Sequence, residues 1–180
     1  MRQFPSNTTQ SRNEVIKAAL IVAIAALTRL LPHLPNFSPI MAIAIFGGLS
    51  FQSRWASYGI PLLAMLASDI ILGFHALMPI VYGSFLIITF FSRTLRFSKP
   101  WQTVLTQGFV SALFFFATTN FGVWAFTSLY PRTGSGLLAC FVAATPFFRY
   151  SLLANFVYLP LMFGIAALPI PAKIRSSFSA

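Results

Sequence analysis

The chain has 180 residues, 57% hydrophobic and only 8% charged, with a mean hydropathy of +0.80. A soluble domain carries roughly 25% charged residues, so there is too little polar surface here to coat a globule, and the composition points to an integral membrane protein. The formal net charge of +10 would suit a nucleic-acid binder, but basic residues flanking membrane spans account for it more simply, and no nucleic-acid partner is expected. At about 20 residues per helical span, the length allows about six spans in one membrane domain. The single Cys140 excludes an intramolecular disulfide and gives no metal cluster.

Residues 1–13 are polar, basic and without periodicity, which predicts a disordered tail. The first span is predicted from Val15 to Leu31. Its basic start and Ala23-Ile-Ala25 resemble a signal peptide, but the apolar run continues past the alanines, so it is read as a span. A proline-broken elbow follows, Arg29-Leu-Leu-Pro-His33-Leu-Pro-Asn36-Phe-Ser-Pro39, whose backbone must be irregular. The second run, Ile40 to Phe51 with Gly47-Gly48, barely covers a hydrocarbon core of about 30 Å. Trp55 to Gly73 is the third span and contains Asp69; Leu77 to Phe91 is the fourth, followed by a basic loop from Arg93 to Pro100. The fifth, Val104 to Phe126, carries Thr118-Thr119-Asn120, and a turn cluster spans Tyr130 to Gly136. Leu137 to Phe148 is too short to span and is predicted as an interfacial helix. Tyr150 to Leu168 is the sixth span, within a domain over 14–170; residues 171–180 form a second tail.

Lys and Arg set the orientation. Arg2, Arg12, Lys17, Arg54, Arg93, Arg96, Lys99, Lys173 and Arg175 collect on one side, against Arg132 and Arg149 on the other with Arg29 just beneath it. Both termini are therefore expected in the cytoplasm of a multi-pass protein of a bacterial inner membrane. Counting 1.5 Å per residue from the outer helix ends places Arg29 about 3–5 Å deep, Asp69 about 6 Å, Asn120 about 9 Å and Asn155 about 7 Å. A lone intramembrane Asp is a candidate functional residue, and Arg29 is its expected partner.

Each feature also has a plainer interpretation. Arg29 and Asp69 can form an ion pair that fixes helix register and binds nothing. Trp124 shares a helix face with Asn120, as Tyr158 does with Asn155, yet aromatic residues also serve as interfacial anchors. His33, His75 and Asp69 do not have a known metal-ligand spacing, so no metal is expected. No nucleophile motif, phosphate loop or paired carboxylates occur, and the chain is read as no enzyme. Ala19, Ala23 and Ala26 form a strip at i, i+4, i+7 that packs either internally or against a partner subunit.

Six spans, the alanine strip, the polar first outer loop and Ala67-Ser68-Asp69-Ile-Ile-Leu72-Gly73 together resemble the substrate-binding S components of energy-coupling factor transporters. Pro35-Asn-Phe-Ser-Pro39, Phe46-Gly-Gly48, Thr119-Asn120-Phe-Gly-Val-Trp124 and Pro146-Phe-Phe148 are similar to an uncharacterised bacterial membrane family akin to them, over about residues 15–168. The resemblance implies an all-α fold of six transmembrane helices. It implies capture of a small, partly polar solute such as a vitamin from the outer side, without a cofactor, and a separate coupling subunit with ATPases. It places Ala19 and Ala23 at that subunit, and Ala26 completes the candidate docking strip. The candidate ligand-binding set is Arg29, His33, Asn36, Asp69, Asn120, Trp124, Asn155 and Tyr158. The alternative is a non-catalytic structural or accessory subunit of a larger membrane complex.

Overall fold

The computed structural model describes residues 12–32, 34–95 and 101–168. His33, most of both expected tails and residues 96–100 of the basic loop lie outside them. Six α-helices follow in order: α1 Arg12–Leu27, α2 Ile40–Ser50, α3 Arg54–Leu72, α4 Met78–Thr94, α5 Trp101–Phe126 and α6 Gly134–Ala167, with a 3-10 turn at Thr28–Leu30 after α1. No strand occurs among the described residues. By length and composition, α3, α5 and α6 are long and apolar enough to cross a membrane, while α2 and α4 are shorter apolar helices. Leu63, Ile70 and Ile71 of α3 and Leu138 and Val142 of α6 are among many large apolar side chains left on the outside.

The short α2 is the hub. Every residue from Met41 to Leu49 is buried, as expected of a helix that is apolar all round. Its adjacent glycines admit neighbours from two directions. A Cβ at Gly47 would stand 2.5 Å from the Pro61 ring of α3, and one at Gly48 only 2.6 Å from the Thr89 carbonyl oxygen of α4. On a further side Phe46 meets Phe163 of α6 edge-on at 4.9 Å. Enclosed in this way, α2 has no need of the length that lipid contact would impose.

Two cations close the end of the bundle where α2 and α6 finish. The Arg93 guanidinium donates to the carbonyls of Phe51 (3.3 Å), Gln52 (2.7 Å) and Ser53 (3.4 Å) and to Ser57 Oγ (2.6 Å). Lys17 Nζ donates to the carbonyls of Ala166 (2.8 Å) and Leu168. The last carbonyls of a helix lack intrahelical partners and carry partial negative charge, so a cation suits them.

The expected interfacial helix does not exist as a separate element. Leu137–Phe148 and the sixth span form one continuous 34-residue helix that runs through Pro146, Arg149 and Pro160. Arg149, a good helix former, lies within it, its guanidinium over the Tyr150 ring, 4.8 Å from the centroid, and bonded to the hydroxyl at 3.0 Å. At about 51 Å, α6 outreaches a core of about 30 Å. Its first half leans on α5, where Phe116 meets Phe141 and Phe148 at 5.5 and 5.0 Å.

The elbow is built on a tight turn. Phe37 N–H donates to the Leu34 carbonyl at 2.9 Å, and Asn36 has φ 61°. Proline cannot take positive φ, so Pro35 followed by a left-handed residue makes a type II turn. Asn36→Ala should therefore cost about 1–2 kcal/mol while Asn36→Gly should cost little. Thermal unfolding in detergent measures both.

Candidate functional site

Arg29 leaves the 3-10 turn and reaches α3. Its Nη2 donates to Asp69 Oδ1 at 2.6 Å, and its Nη1 to Ser68 Oγ at 2.6 Å and to the Met65 carbonyl at 3.4 Å. Tyr82 of α4 donates its hydroxyl to the other carboxylate oxygen at 2.7 Å. Ser68 passes its own proton to the Met65 carbonyl at 2.8 Å, which leaves its oxygen free to accept from Arg29. The two charged side chains are only 10% and 8% exposed. The expected Arg29–Asp69 pair is present, and with Tyr82 it forms a neutral clasp joining α1, α3 and α4.

Beside the clasp, Thr28 Oγ1 donates to the Ala25 carbonyl at 2.7 Å and lies 3.0 Å from the Tyr158 hydroxyl of α6. With the threonine proton already committed, Tyr158 must be the donor between them. Phe37 from the elbow meets the Tyr158 ring at 5.9 Å, tilted by 47°. One turn earlier on α6, Asn155 is 1% exposed. Its Nδ2 donates to the Gly108 carbonyl of α5 at 2.8 Å and lies 3.8 Å from Met41 Sδ in the first turn of α2. Its Oδ1 has no partner, nor does the buried Ser38 Oγ. Pro39 starts α2 without a side-chain cap, so the first N–H groups of that helix are also unspent by side chains. These unspent groups lie where α2 begins beneath the elbow: Phe37 touches Tyr158, and Met41 touches Asn155.

Other members of the expected set stand apart. Asn120 Nδ2 donates within its own helix to the Phe116 carbonyl at 2.7 Å, and its backbone carbonyl accepts from Cys140 Sγ at 3.4 Å. Asn120 is twelve residues beyond Gly108 on α5, about 18 Å along the axis, so it does not share a layer with Asn155. Trp124 Nε1 donates to the Pro131 carbonyl at 2.9 Å and pins the α5–α6 turn. Asn36 is exposed at its turn. Of the alanine strip, Ala26 is buried, Ala19 half-buried and Ala23 exposed. Two hollows of about 180 and 470 Å³ lie between α1 and α3; Ala19 lines one, Ala26 the other and Ala23 both. Among the described residues no three His, Cys, Asp or Glu side chains gather as a metal site would require.

Sequence reading missed Thr28, Ser38 and Tyr82. For Tyr82 a signal existed: Asp69 lies three residues before the end of α3 and Tyr82 four after the start of α4, so an antiparallel turn sets them level. Thr28 and Ser38 sit beside prominent residues and carry no pattern of their own.

No curated protein and no solved structure matches the chain. One sequence family does, along nearly its whole length and over the elbow, the clasp and both glycine contacts of the hub. With residues 9–176 matched, the chain belongs to the family of unknown function DUF6580.

Proposed function

We propose that the chain is a six-span protein of a bacterial inner membrane, with both ends cytoplasmic, that captures a small, partly polar solute from the outer side for uptake. Catalysis has no part in this reading. The resemblance to S components adds a separate coupling subunit with its ATPases. One observation carries the proposal: two buried side-chain oxygens, Ser38 Oγ and Asn155 Oδ1, lack partners beneath the irregular elbow. A buried polar atom left unpaired costs about 1–3 kcal/mol, and a solute bearing N–H or O–H groups would relieve it. Asn155 and Tyr158 are the binding residues this favours, with Arg29 and Asp69 holding the wall beside them.

A second reading is a non-catalytic accessory subunit of a larger membrane complex. The saturated clasp favours it, because both carboxylate oxygens of Asp69 are already engaged. Native mass spectrometry of protein purified in mild detergent separates the two. Retention of a small molecule by the parent, and its loss in Asn155→Leu and Ser38→Ala variants that still fold in detergent, is the expected result. A parent carrying no such molecule, or variants that retain it equally, would sink the solute reading.

A further inference from the structure

The two hollows between α1 and α3 share Ala23 and Ala64 and so form one groove along the outside of the bundle. It runs from Ile16 on α1 to Leu30 in the 3-10 turn, about 22 Å. That exceeds one leaflet of hydrocarbon, which is about 15 Å. Apart from Ser68, every lining residue is apolar. At its upper end the groove stops at Leu30, Ser68 and Ile71, directly against the Arg29–Asp69 clasp. The lower end has a different character. Arg12 lies one turn below Ile16 on the same face, and Arg54, the first residue of α3, lies about 9 Å below Ile60 and about 120° round that helix. Both arginines are exposed, and neither forms an ion pair among the described residues. Beside them Trp55 is 90% exposed, as an aromatic anchor at a membrane interface would be. The nearby acid, Glu14, acts on Lys17 one turn further along its helix.

We propose that this groove holds one acyl chain of an anionic phospholipid of the cytoplasmic leaflet, with the phosphate at Arg12 and the Arg54 side chain reaching it from the start of α3. A single chain suits a groove closed above and basic below. A partner's apolar helix suits it less, because it would leave the two exposed arginines at the lower end without a counter-charge. The assignment rests on the membrane orientation proposed above but not on solute capture, and it survives the failure of the latter.

The test uses the full chain reconstituted in vesicles of equimolar phosphatidylglycerol and phosphatidylcholine, extracted gently and analysed for retained lipid by native mass spectrometry. One phosphatidylglycerol per protein is expected, preferred by roughly thirty-fold if each arginine contributes as a basic residue near an anionic surface does. Arg12→Gln with Arg54→Gln should erase the preference, and Ala23→Phe should reduce retention of both lipids by filling the groove. These positions are exposed, so folding is spared, and Asn155→Leu should leave lipid retention unchanged. Equal retention of the two lipids, or undiminished retention in Ala23→Phe, would overturn the assignment. So would a membrane protein crosslinked through Ala23→Cys in place of the lipid.

Discussion

Asp69→Ala is expected to lower stability by about 3–5 kcal/mol, because it strands a buried guanidinium. Arg29 would keep Ser68 and the Met65 carbonyl, neither of which carries a compensating charge. Tyr82 would lose its acceptor as well. Arg29→Ala should cost a similar amount for the opposite reason, since a carboxylate would remain with a single tyrosine hydroxyl. The two changes touch one interaction, so they should not add. Arg29→Leu combined with Asp69→Leu should recover most of the loss, as buried ion pairs often tolerate apolar replacement. Unfolding by denaturant in detergent gives all three values. Additive losses would mean that the two residues act independently, contrary to their 2.6 Å contact. Solute retention by the folded double variant then bears on function: full retention would confine the clasp to architecture.

Gly48→Val is the second severe change. A Cβ there would stand 2.6 Å from the Thr89 carbonyl oxygen, 2.7 Å from Ser92 Cβ and 3.0 Å from the Arg93 amide nitrogen. Overpacking usually costs about 1–3 kcal/mol. Two of these three neighbours are backbone atoms that cannot rotate away, so a loss of about 3 kcal/mol is expected. Moving α4 outward would also pull Arg93 from the carbonyls it caps at the end of α2. Gly59 provides the control. It is helical with nothing within 4 Å of its would-be Cβ, and Gly59→Ala should stabilise by up to about 1 kcal/mol through helix propensity. A Gly48→Val protein that melts with the parent would show that the α2–α4 contact is looser than drawn.

These residues also mark how far the sequence can be read. Charge scarcity and long apolar runs suffice for an all-helical chain with membrane-length segments, and a lone acid with a nearby arginine suffices to pair Asp69 with Arg29. The role of α2 is hidden, because a short run flanked by prolines reads as an inadequate span until its burial on every side is known. The fusion of two segments into α6 is hidden for another reason: Arg149 and Pro146 are boundary signals locally, whereas the packing of Phe141 and Phe148 on α5 that supports the helix through them is not visible in sequence. That fusion also misplaced Asn155. Depth counting assumes that every helix begins at one level, and α6 begins sixteen residues before Tyr150, where the count had started. Asn120 and Asn155 were therefore set side by side when α5 holds their contacts about 18 Å apart.

The enclosure of α2 constrains how the molecule can be made. Among the described helices the hub is second in chain order, yet part of its wall, Asn155 against Met41 and Phe163 against Phe46, comes from the sixth. Throughout synthesis of the intervening helices, an apolar segment whose first turn lacks a side-chain cap waits with one flank bare. A nascent chain halted before α6 therefore exposes its most buried element. Docking of α6 is therefore the step that closes the wall around α2.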